Sequence, residues 1–99
     1  TLVMREGWRY RFDLGSTAVA HPIKFVDETM FGGDDLLVQG DGPSGPYEQD
    51  QDVAWLDLNN SVSFTVAPST LFGGISNDLD YYECVNHPNM TGAITIITP

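Results

Sequence analysis

Residues 81–92 of the chain read YYECVNHPNMTG, and they place its one cysteine, one of its two histidines and a methionine within seven consecutive positions, Cys84 to Met90. The run DYYEC before this loop and GAITIIT after it are both rich in strand formers, so the unit reads as strand, tight loop, strand. On the first strand Tyr82 and Cys84 share a face, the inner one, because side chains alternate along a strand. Cys84 ends that strand, and His87 and Met90 ride on the loop. A loop this short, spaced Cys-x-x-His-x-x-Met, keeps the three side chains close whatever the remaining fold does.

A single cysteine cannot form an internal disulfide and is most often a small buried hydrophobe. That bland reading would leave Cys84 beside a surface histidine, with Met90 as core filler. The neighbours argue for chemistry instead. A thiolate and a neutral imidazole are strong ligands for copper, and a thioether is a weak, soft one. A trigonal site needs a second imidazole, and the remaining histidine is His21, in AVAHPIKF near the other end of the chain. A sandwich can bring early and late strands together. A Cys84–His87 nucleophile pair is the catalytic alternative, but two intervening residues on a tight loop suit shared ligation better than proton transfer. The chain is therefore not expected to be an enzyme.

Working outward, WRYRFDL (Trp8 to Leu14) alternates strictly. Trp8, Tyr10, Phe12 and Leu14 fall on one face and Arg9, Arg11 and Asp13 on the other, the mark of a half-buried strand. TLVMR before it reads as a shorter strand, joined through the turn signal Glu6-Gly7. STAVAHPIKFV is β-prone, but Pro22 cannot donate to a central ladder, so the segment should bend or lie at an edge there. Residues 27–51 read as loops with a short apolar island at Leu36-Leu37-Val38 and room for a helical turn. VAWLDL and SVSFTV are expected as strands around the turn Asn59-Asn60. Several short strands separated by turns predict an antiparallel β-sandwich formed by one domain, residues 1–99. Trp8, Tyr10, Phe12, Trp55, Phe64 and Tyr82 are expected in the core, and Met4 and Met30 as packing residues.

YYECVNHPNMTGAITI resembles the C-terminal signature of the cupredoxins, the blue (type 1) copper proteins, with the short loop of the plastocyanin and amicyanin kind. AVAHPIKF resembles their upstream ligand segment, LVMREGWRYRFDL the strand, turn and strand before it, and SVSFTVAP the strand before the final hairpin. The likeness runs across nearly the whole chain. It implies an all-β Greek-key sandwich of the cupredoxin type and one copper ion held by His21, Cys84, His87 and Met90. The implied function is electron transfer between Cu(I) and Cu(II), with a redox protein as partner and an extracytoplasmic setting, whether periplasmic, extracellular or secreted. It also implies an electron exit through His87, with Pro88 and an apolar rim as the docking patch. Two departures stand out. Pro22 occupies the place where the family often has an asparagine that ties its two ligand loops together. A strand that usually precedes the segment beginning here at Thr1 is missing, so a strand from a neighbouring subunit or parent chain is expected along the edge left by TLVMR. That edge motivates a rival expectation: a structural or interaction module of a larger extracellular, viral or filamentous assembly, with copper stabilising or absent.

The charge balance fits either reading. Four Lys+Arg stand against 14 Asp+Glu, a formal net charge of -10, and all four cations lie at or before Lys24. Such a surface repels nucleic acid and anionic membrane; it either steers toward a partner with a basic surface or serves solubility or a salty habitat. No run approaches the roughly 18 apolar residues of a membrane helix, so membrane insertion is not expected. EQDQD (Glu48 to Asp52), with Asp41 and Asp57 nearby, lacks the calcium-loop pattern and reads as a solvated acidic face. Asn59 and Asn89 head glycosylation sequons. A glycan on Asn89 would cover the copper loop, so Asn89 is expected bare in an electron carrier.

Overall fold

The computed structural model describes residues 1–16, 20–27, 35–40, 47–68, 74–87 and 90–98. Expectations for Met30, Asp41, Pro88 and Asn89 fall outside them. The described residues form two β-sheets and one helical turn. Five strands, β1 (Leu2–Arg5), β3 (Ile23–Val26), β4 (Asp35–Val38), β7 (Tyr81–Cys84) and β8 (Thr91–Ile97), make one sheet in the order β1-β8-β7-β3-β4. The other sheet is β2-β6-β5, from β2 (Arg9–Asp13), β5 (Leu56–Asp57) and β6 (Ser61–Thr65). All pairings are antiparallel except β1 with β8, which is parallel. The helical turn α1 spans Ile75–Asp78. It is not long or apolar enough to cross a membrane, and no other helix among the described residues is.

The alternation in β2 sets the packing. Arg9, Arg11 and Asp13 are exposed, while Phe12 turns inward, its ring 5.3 Å from that of Phe25 and 6.2 Å from that of Phe64. Phe25 of β3 and Phe64 of β6 meet edge to face at 4.8 Å, which closes the core between the two sheets. Met4, Leu37, Val62 and Ile94 fill in around them. Burying side chains of this size contributes about 1.5–3 kcal/mol each.

The turn at Glu6-Gly7 does not make a hairpin within one sheet. It carries the chain from the edge of the five-stranded sheet to the other sheet. The Glu6 N–H donates to Ile97 O, the Gly7 N–H donates to Val66 O, and Gly7 adopts φ +87°, a region favourable to glycine. Trp8 lies in this crossing, before the ladder begins at Arg9. It is 59 % exposed rather than in the core, with the Arg5 guanidinium 5.3 Å from its ring centre.

Three further expectations are corrected. The Leu36-Leu37-Val38 island is strand β4, paired with β3. All three residues are buried, so the period-two signal is absent. VAWLDL is a strand only at Leu56–Asp57, because Ala54 turns through φ +51° and its N–H bonds back to Asp50 O. Glu48 is buried, so EQDQD is not a wholly solvated face. β3 begins only after Pro22, so the chain bends there, as expected, but the strand itself is internal to its sheet. At the edge strand β1, the Arg5 N–H donates to the Tyr10 hydroxyl at 2.6 Å and Arg5 O accepts the Trp8 N–H. Both of these backbone groups are thus satisfied within the chain.

Candidate metal centre

The site follows from one strand pairing. β7 and β3 are neighbours, and their register sets Cys84 opposite Ile23. Cys84 is the last residue of β7, and His21 precedes β3 by two residues, so positions 63 apart in sequence become adjacent. Cys84 Sγ lies 3.5 Å from His21 Nδ1 and 3.4 Å from His87 Nδ1. The three ligand atoms lie within 4.8 Å of one another, and the two imidazole centres are 4.7 Å apart. Metal–nitrogen bonds of about 2.0–2.1 Å and metal–sulfur bonds of about 2.3 Å, at tetrahedral to trigonal angles, put sulfur and nitrogen about 3.6–3.8 Å apart. The observed spacing is within a few tenths of an ångström of that, so His21, Cys84 and His87 are placed to hold a metal ion.

The loop that carries His87 is closed by its own backbone. The His87 N–H donates to Cys84 O, the Met90 N–H to His87 O, and the Cys84 N–H to Met90 O, at 3.3, 2.8 and 3.0 Å. Cys84 is buried, His21 half-buried and His87 exposed. Met90 is 48 % exposed, which excludes a role as core filler. It lines a cavity of about 440 Å³ together with His21, Cys84, Leu14 and Tyr82. Beyond the loop, Gly92 pairs with Tyr82, and any Cβ there would run into the tyrosine ring.

Two features of the site escaped the sequence. Pro22 has no hydrogen-bonding side-chain group to tie the ligand segments together, and the tie comes from the opposite side. The Asn86 side chain, between Cys84 and His87, donates to Ala20 O at 3.2 Å, and the Val85 N–H donates to Pro22 O at 2.8 Å. The Ile23 N–H is taken up by the side chain of buried Gln39. An asparagine between two ligands is a weak signal for the first; nothing local signals the second. On the far face of the sheet, Glu83 is buried beside Cys84. Lys24 spans it at 3.7 Å and Asp35 at 3.0 Å, crossing three adjacent strands.

Comparisons of the chain with protein-family models, with curated proteins and with solved structures find no match.

Proposed function

We propose that this protein is a type 1 copper protein of the cupredoxin kind that carries single electrons between redox partners. The observation that carries the reading is the convergence of one thiol and two imidazole Nδ1 atoms, 3.4 and 3.5 Å from the sulfur. Two imidazoles and a thiolate with a weak thioether nearby are the donor set of blue copper. A structural zinc site would instead ask for four strong ligands in a closed tetrahedron. A copper ion held there supplies a one-electron couple between Cu(I) and Cu(II).

The side chains divide the work. Cys84, buried at the end of β7, gives the thiolate and keeps it from bulk water. His21 and His87 give the two imidazoles, and Met90 the weak fourth donor that tunes potential. Exposed His87 marks the side on which a redox partner docks. The closed hydrogen-bond ring from Cys84 to Met90 keeps Cys84, His87 and Met90 from rearranging when charge changes. The acidic surface favours a partner with a basic face, with neither nucleic acid nor membrane as target, and the resemblance to cupredoxins implies an extracytoplasmic setting.

The test is the visible spectrum after Cu(II) addition. An intense thiolate-to-copper band is expected, and Cys84→Ser should abolish it while leaving the fold intact by circular dichroism. A serine variant that stays equally coloured would end the assignment. The rival reading, an interaction module completed by a neighbour's strand, is favoured by β1 at a sheet edge with exposed Val3 and Ile97 beside it. Self-association in sedimentation, together with no colour, would select it.

A further inference from the structure

We propose that Asn86 and Gln39 are positioning residues that grip the His21 segment from two sides and hold its imidazole ready before metal arrives. The inference rests on the metal reading for its function, but its geometry is independent of any ion. The ladder between β3 and β7 reaches only to Ile23, which sits opposite Cys84. Pro22 has no N–H with which to extend it. His21 therefore depends on bonds made by its neighbours. The Ala20 carbonyl accepts from Asn86 Nδ2 at 3.2 Å, and the Pro22 carbonyl accepts from the Val85 N–H at 2.8 Å. The Ile23 N–H donates to Gln39 Oε1 at 3.0 Å.

Both amides tie distant parts together. Asn86 stands between Cys84 and His87, so its bond fixes the His21 segment directly to the loop that carries the other ligands. Gln39 is 5 % exposed, and its Nε2 donates at 2.7 Å to Asn59 O, on the turn between β5 and β6. Gln39 thereby anchors the start of β3 to the opposite sheet. The Val85 bond uses backbone only and survives substitution, so the two side-chain grips can be removed without freeing the segment altogether. Outer partners of this sort set ligand orientation, and their loss typically weakens metal binding 10–100-fold.

The experiment uses the 99-residue chain with Co(II) and Cu(II) as probes, in wild type, Asn86→Ala, Asn86→Asp and Gln39→Glu. Asn86→Ala should bind Co(II) about tenfold more weakly and shift the ligand-field bands. Because Asn86 is exposed, its urea midpoint should stay near wild type. Asn86→Asp should be worse, since it turns a carboxylate toward the Ala20 carbonyl. Gln39→Glu keeps the acceptor for the Ile23 N–H but loses the donor to Asn59, and its bands should shift if it folds. In the metal-free protein, proton nuclear Overhauser contacts between the His21 and His87 rings should weaken in both Asn86 variants. Folded Asn86 variants with wild-type affinity, bands and ring contacts would overturn the proposal. If wild type binds neither ion, the copper reading falls alone, and the metal-free ring contacts still decide the grip.

Discussion

Cys84, His87 and Met90 sit on seven residues that close on themselves through three backbone hydrogen bonds. His21 sits on a segment whose anchors come from elsewhere: Val85 and Asn86 across the sheet, and Gln39 from the end of β4. One arm of the site is local and the other is borrowed. The local arm needs only that β7 and β8 pair. The borrowed arm needs both sheets in place, because Gln39 in turn leans on Asn59. Damage to packing should therefore reach His21 before it reaches the loop.

The largest expected effect tests the borrowed arm. Gln39→Leu leaves the Ile23 N–H without its partner, at about 1–3 kcal/mol of stability. Urea denaturation measures it, and an unchanged midpoint would show that Gln39 is not a strut. Next comes the local arm. Gly92→Ala sets a methyl against the Tyr82 ring, and the ring or strand must shift, at about 1–3 kcal/mol. Met90→Leu should leave stability alone and raise the copper reduction potential, because losing the weak donor destabilises Cu(II) more than Cu(I). Voltammetry showing no change would remove Met90 from the site.

The smallest effect is a control at a pair that belongs to neither arm. The Tyr47 hydroxyl donates to Asp78 Oδ2 at 2.6 Å. Its pKa is raised from 10.0 to about 12, first by burial and then by the bond to Asp78, whose charge together with those of Asp50 and Asp27 adds to the shift. A raised folded-state value stabilises below the unfolded one. The contribution is complete under pH 10 and disappears as pH climbs through about 12. Tyr47→Phe should remove that pH-dependent loss between 10 and 12 and leave metal binding unaltered.

The same contrast explains what could be read from residues alone. Strands β2, β6, β7 and β8 were legible because alternation or a motif marks each. The local arm was legible for the same reason: a thiol, an imidazole and a thioether within seven positions define their own proximity. His21 was legible only by chemistry, as the one imidazole left to complete a set. Its grips were not, since Gln39 becomes its neighbour only through the β3–β4 pairing. β4 itself was hidden because Leu36, Leu37 and Val38 are all buried and show no alternation. Trp8 misled for the opposite reason. It continues the β2 pattern on paper, but it lies in the crossing between sheets, where the pattern no longer governs which way a side chain points.

That crossing leaves the two indoles in different solvents. Trp55 packs against Phe25 and Phe64, with ring centres 6.4 and 6.3 Å away, while Trp8 faces water beside Arg5. The molecule thus carries two fluorophores with separate duties. Emission from half-buried Trp55 shifts to longer wavelength when the core opens, whereas Trp8 emits as if already in water and is more open to collisional quenchers. Arg5 gives an anionic quencher such as iodide local purchase on Trp8, even though the chain as a whole, at a formal -10, repels it.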